Sequence, residues 1–164
     1  MSEEQHPMNK LLNNLIIITN DIYNSIGPGY NEVIYHRAFE VGLRLNNIAY
    51  ESEVVTPVIY QSHTIGHGRV DLIVHDLGTS NAINALQPGA FTSVIIELKA
   101  IANLNNTDSI IQIKNYMKQH SIKDGLIINF GQCNKTTPGT VSIKYINNCN
   151  QIFNFTNGTF IEGI

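Results

Sequence analysis

Charge is scarce in this chain. Only 14% of its 164 residues are Asp, Glu, Lys or Arg, against about 25% in an ordinary soluble domain. Ten Lys and Arg face thirteen Asp and Glu, a net charge of −3. No global positive field draws in a polyanion, so nucleic-acid binding requires a local basic patch. Cysteine is nearly missing too, with only Cys133 and Cys149. No secretory n-region or cleavage pattern opens the chain, so both are expected to be reduced structural thiols in an intracellular protein, cytoplasmic or nuclear and not secreted. No apolar run reaches the ~20 residues of a membrane span. The stretch Leu11 to Thr19 is broken by Asn13 and Asn14. The Asn-x-Thr sequons at Asn105, Asn134, Asn154 and Asn157 are what an Asn-rich chain generates by chance. Gly27-Pro28-Gly29 has no Gly-Lys-Ser/Thr behind it and reads as a turn, not a phosphate loop.

What is present suffices for a core. At 43% hydrophobic residues, a single domain over 1–164 is expected, burying roughly 70% of its unfolded surface. Residues 1–7 read as a frayed start. Leu11, Leu15, Ile18, Ile22 and Ile26 recur at helical intervals. After the glycine turn, a second helix is predicted from about Tyr30 to Asn47, with Ile34, Ala38, Val41 and Leu45 on one side and Glu32, Tyr35 and Phe39 on the neighbouring stripe. Strand patterns follow over 50–60 and 64–75, joined by a turn at Gln61-Ser62-His63. A loop over 76–92, long for a hairpin, leads to a strand over 93–100. Thr107 with Asp108 opens a helix to about Ser121. Gly125 to Phe130 is continuously apolar, as in a strand buried on both faces. Thr140 to Ile146 alternates, and 151–161 holds one or two edge strands. The order predicts a mixed α/β layer fold.

The chemistry concentrates in Val94-Ile95-Ile96-Glu97-Leu98-Lys99-Ala100. Strand alternation points Glu97 and Lys99 to one face and Ile96, Leu98 and Ala100 to the other. Burying an acid and a base in such a run is costly unless they pair or hold an ion. A second acid, Asp71, sits in the apolar run Val70 to Val74 on the preceding strand. Two carboxylates about 4 Å apart repel by roughly 4 kcal/mol at an effective dielectric near 20. Lys99 offsets part of this, and Glu32 would add a third negative charge. A divalent cation resolves the conflict, and carboxylates, a backbone carbonyl and water suit Mg²⁺ or Mn²⁺. Such an ion polarises a phosphoryl oxygen and acidifies a water that Lys99 orients. The plainer reading makes Glu97 and Lys99 a same-face ion pair and Asp71 a strand-end charge.

Gly29-Tyr30-Asn31-Glu32-Val33-Ile34-Tyr35 fits a Gly-x-x-Glu-x-x-Tyr signature. It is followed in order by Val70-Asp71-Leu72-Ile73-Val74, Ile96-Glu97-Leu98-Lys99-Ala100, Gln112-Ile113-Lys114-Asn115-Tyr116 and Gly125 to Gly131. Over roughly 10–146 this resembles the GxxExxY protein family, a branch similar to the PD-(D/E)XK nuclease superfamily. The resemblance implies a restriction-endonuclease-like α-β-β-β-α-β core, its mixed sheet flanked by helices. It further implies that Asp71, Glu97 and the Leu98 carbonyl bind the metal and that Lys99 assists the attacking water. Glu32 would serve as an accessory acid, and Gln112 would sit at the rim. The implied activity is Mg²⁺-dependent hydrolysis of phosphodiesters, with DNA as substrate and an endonuclease mode of cutting. Dimers are common in that superfamily, and cutting both strands of a duplex would favour a homodimer. The alternative is a non-catalytic nucleic-acid- or protein-binding module that keeps the nuclease fold.

Other residues carry weaker signals. Lys114 and Lys118, one helical turn apart, are expected to join Lys123 and Arg37 in the basic patch, the plainer reading being a solvated helix face. His67, between two glycines, is a candidate phosphate contact. His63, His67 and His75 share strand parity with Asp71, which raises a His-based Zn²⁺ site as a further option. Tyr35 and Tyr116 read as packing residues whose hydroxyls find partners at the edge of the site.

Overall fold

The computed structural model describes residues 7–76, 92–102, 107–132, 139–156 and 159–162. Two helices lead, α1 (Pro7–Ile26) and α2 (Glu32–Leu45), followed by β1 (Ala49–Tyr60), β2 (His63–Asp76) and β3 (Thr92–Lys99). Then come α3 (Thr107–Gln119), β4 (Asp124–Phe130), β5 (Val141–Ile146), β6 (Ile152–Thr156) and β7 (Thr159–Glu162). Among the described residues the strands form one seven-stranded sheet in sequence order. Every pairing is antiparallel except β3 with β4, which run parallel because α3 carries the chain across between them. This is the mixed sheet with flanking helices that the sequence pattern predicts, with the tail contributing two strands. Neither the loop at 77–91 nor Cys133 lies among the described residues. Cys149 is exposed, so it is no structural core thiol. Among the described residues no helix is long and apolar enough to cross a membrane.

Each face of the sheet has its own apolar layer. On one, Leu72, Val74, Val94, Ile96, Leu98, Leu126 and Ile128 pack against Leu11, Leu15, Ile18 and Ile22 of α1 and Tyr35, Phe39 and Leu43 of α2. On the other, Ile73, Ile95 and Ile127 pack against Ile113, Tyr116 and Met117 of α3. The central strand β4, buried almost throughout, feeds both layers, which is why its sequence shows no alternation.

Helix α2 inverts the expectation for its faces. Ile34, Val41 and Leu45 are exposed, and the stripe Tyr35, Phe39 and Leu43 is buried instead. The aromatics decide this. Tyr35 stacks on Phe130 with centroids 4.4 Å apart, and its hydroxyl donates to the Gly27 carbonyl at 2.8 Å. Two large rings bury more apolar area than the aliphatic stripe offers, and the rotation brings Glu32 round to the sheet end. Gly27 and Gly29 take φ of 69° and 109°, the left-handed turn that sets α2 at this angle.

Candidate active site

The side-chain alternation of β2 slips at Asp71. Leu72 and Val74 face the layer of α1 and α2, whereas both Val70 and Ile73 lie in the layer of α3. The irregularity is shared with the neighbouring strand. Glu53 of β1 has φ 52°, and neither it nor Asp71 opposite pairs in the ladder, although the register is unchanged across them, with Ser52 on Leu72 and Val54 on Val70. Beyond Leu72, paired with Ile96, β2 and β3 cease to exchange ladder bonds. The Asp71 carboxylate takes over there, with Oδ2 accepting the Leu98 N–H at 2.8 Å.

Strand β3 presents Glu97 and Lys99 on the α3 side, with Ile96 and Leu98 in the opposite layer. The Lys99 ammonium donates to Glu97 Oε1 at 2.6 Å. Glu97 is 2% exposed, and its other oxygen, Oε2, is buried without a hydrogen-bond partner. Burial, then the negative charge of Asp71, push the Glu97 carboxyl up to about 7, against the pull of Lys99. For Lys99, burial works against the ammonium, but the hydrogen bond to Glu97 and the charges of Glu97, Glu32 and Asp71 outweigh it and the net direction is up. Glu32 lies at the start of α2. Desolvation raises its pKa and Asp71 adds to the rise, while Lys99, His36 and Arg69 act against it.

The structure therefore brings Glu32, Asp71, Glu97 and Lys99 into one electrostatic group. Among the described residues no three His, Cys, Asp or Glu side chains close into a metal-holding set. The donor chemistry nonetheless fits a hard divalent cation. Asp71, Glu97 and the Leu98 carbonyl are all oxygen ligands, and an orphaned buried carboxylate oxygen is what such an ion would satisfy.

Gln112 is not in this group. Its Nε2 donates to the Tyr116 hydroxyl at 3.2 Å, and that hydroxyl accepts the Arg69 backbone N–H at 3.1 Å, so α3 is latched to β2 beside the acids. Gln112, Tyr116, Lys118 and His67 line a cleft of about 720 Å³ between α3 and the hairpin of β1 and β2. Lys114, Lys118 and Lys123 do converge, lining a second hollow of about 440 Å³. Arg37 does not join them, because α2 packs on the other face of the sheet from α3. The histidine Zn²⁺ site fails as well. Such a trio would need its rings together, yet His75 bonds Ser93 Oγ at 2.8 Å and Glu51 Oε1 at 3.0 Å, and His63 stands at the far turn.

Two supporting residues carry no signal in spacing. Asn129, 3% exposed, pairs with both backbone groups of Ile101, at 3.0 Å each, and so fixes the exit of the Glu97–Lys99 strand. Gly68 admits Tyr116, since a Cβ there would lie 2.8 Å from the tyrosine hydroxyl.

A family model for the PD-(D/E)XK nuclease superfamily matches residues 9–141, a span that includes every one of these acids. The chain belongs to that superfamily. Among solved structures, one described as the crystal structure of SSO0001 is similar at 21% identity, with a TM-score of 0.45, over 70% of this chain and 48% of that one. The chain thus spans about half the length of that protein. Among curated proteins no sequence matches it. As a member of the PD-(D/E)XK superfamily, the chain is a nuclease-like domain.

Proposed function

We propose that this PD-(D/E)XK protein is a Mg²⁺- or Mn²⁺-dependent endonuclease acting on DNA, within the GxxExxY branch that its Gly29–Tyr35 motif resembles. The observation that carries the reading is the buried, unpartnered Glu97 Oε2 beside the charge of Asp71, with Lys99 holding the other oxygen. Asp71, Glu97 and the Leu98 carbonyl would hold the ion, which supplies polarisation of a phosphoryl oxygen and acidification of a water when bound. Lys99, kept protonated by three acids, positions that water and stabilises charge developing on the phosphate. Glu32 acts from the rim as an accessory acid. Gln112 contributes through the cleft wall.

The test is nicking of supercoiled plasmid in Mg²⁺ or Mn²⁺ by wild type, Asp71→Ala and Lys99→Ala. Wild type is expected to nick, and each variant to lose activity by at least about 100-fold while remaining folded. No cleavage of any DNA or RNA form, with equal binding by all three proteins, would instead favour a non-catalytic binding module. The low charge of the chain is the one feature on that side.

A further inference from the structure

The cleft between α3 and the β1–β2 hairpin opens on the same sheet face as Glu97 and Lys99, and its chemistry is not that of a packing defect. Val58, 41% exposed, and Ile111, 57% exposed, give it aliphatic walls from β1 and α3. The amides of Gln112, Asn115 and Gln119 line it, His67 and Lys118 add cationic or hydrogen-bonding groups, and Asp108 at the start of α3 adds a single carboxylate. Its far end is tied by His120 Nε2 to Thr56 Oγ1 at 2.7 Å, and its near end by the Tyr116 latch to Arg69. Gly68, on the lining, precedes Asp71 by three strand residues, about 10 Å. That is within reach of a nucleotide next to a phosphate held by the acids. Asn115 and Lys118 also line the hollow that gathers Lys114 and Lys123, where no carboxylate is present. Three of the ten Lys and Arg of a charge-poor chain thus meet at the end of α3, Lys114 and Lys118 on the helix and Lys123 just beyond it.

We infer that this cleft receives an unpaired nucleobase adjacent to the scissile phosphate, so that the substrate is nucleic acid with at least one unstacked nucleotide beside the cut. The inference rests on the nuclease reading above and narrows its substrate. Aliphatic walls accept the faces of any base, the amides meet a base edge with both donors and acceptors, and the lysines of α3 carry the backbone onward. A fully paired duplex keeps its bases stacked and leaves the cleft unfilled.

Fluorescence anisotropy in Ca²⁺ decides it with three labelled DNA duplexes: one fully paired, one with a single bulged adenine, and one with an abasic bulge at the same place. Wild type is expected to bind the bulged adenine about tenfold more tightly than the paired duplex, the scale of one buried base. The abasic bulge should lose that gain. Ile111→Asp, at an exposed position that cannot disturb the core, should lose it too, while Val41→Asp on α2 keeps it. Equal affinities for the three duplexes, or a gain retained by the abasic probe or by Ile111→Asp, overturn the inference. If that happens while the plasmid is still nicked in a Lys99-dependent way, only the base pocket falls. If no probe binds and nothing is cut, the nuclease reading falls with it.

Discussion

Removing divalent ions and raising the pH should destabilise this protein, and the loss should trace to one side chain. The Glu97 carboxyl is raised from an ordinary 4.5 to about 7 by burial and by Asp71. For an acid whose folded pKa lies above its unfolded one, the folded state holds the proton more tightly. Stability is therefore greatest below the unfolded pKa and declines as pH rises through the folded value. A rise of this size corresponds to about 3 kcal/mol lost between pH 4.5 and 8, or roughly 6–12 °C in Tm for a domain of this size. Lys99 adds no slope in this window, because its shift is upward from an already high value. Glu32, also raised, adds a smaller slope of the same sign. Thermal melts in EDTA across that range read the effect, with Glu97→Gln as the reference that stays neutral throughout. The variant should match wild type near pH 5 and exceed it at pH 8. Excess Mg²⁺ should then rescue wild type at pH 8, by about 2.7 kcal/mol at 100 times Kd, and leave Glu97→Gln unmoved. Parallel profiles for the two proteins, with or without Mg²⁺, would refute the reasoning, since the burial and repulsion assigned to Glu97 would then cost nothing.

Asn129→Ala leaves the Ile101 N–H without its partner and its carbonyl with only the Gln132 N–H at 3.4 Å, and a loss of about 1–2 kcal/mol is expected in urea unfolding, with nicking impaired because the strand exit loosens. Gly68→Ala drives a methyl into the Tyr116 ring and hydroxyl, where the approach of 2.8 Å cannot be kept. About 1–3 kcal/mol should be lost. Tyr116→Phe in the same background should recover little of it, since the ring edge at 2.9 Å also collides.

The parts of the fold legible in the sequence are those set by local pattern. The Glu97–Lys99 strand obeyed alternation because both its flanks are uniformly apolar, and β4 announced burial on two faces by having no alternation at all. The choice of face on α2 was not legible. Both candidate stripes are apolar at helical spacing, and only the partner across the sheet, Phe130, selects the one bearing Tyr35. The same limit applied to the lysines. Spacing placed Lys114 and Lys118 together, but Arg37 could be excluded only once α2 and α3 were seen on opposite faces.

The position of Asp71 shows why sites of this kind resist reading from period alone. Strict alternation along β2 would put Val70 with Leu72, yet across the unpaired positions Glu53 and Asp71, where Glu53 takes φ 52°, Val70 turns to the side of α3. That irregularity coincides with the end of the ladder between β2 and β3, and the Leu98 N–H is satisfied by a carboxylate instead of a backbone carbonyl. Splaying the strands there makes room beside Glu97 while keeping the donor count whole. The cost falls on Glu97 Oε2, the one buried side-chain oxygen among the described residues without a donor. A packed sheet with no ligand to hold would gain by replacing Glu97 and Asp71 with apolar residues of similar volume. Holding two repelling acids beside an orphaned oxygen makes physical sense where a cation is to be bound, and the difference in stability between the Mg²⁺-loaded and EDTA-treated protein measures how far the ion repays that cost.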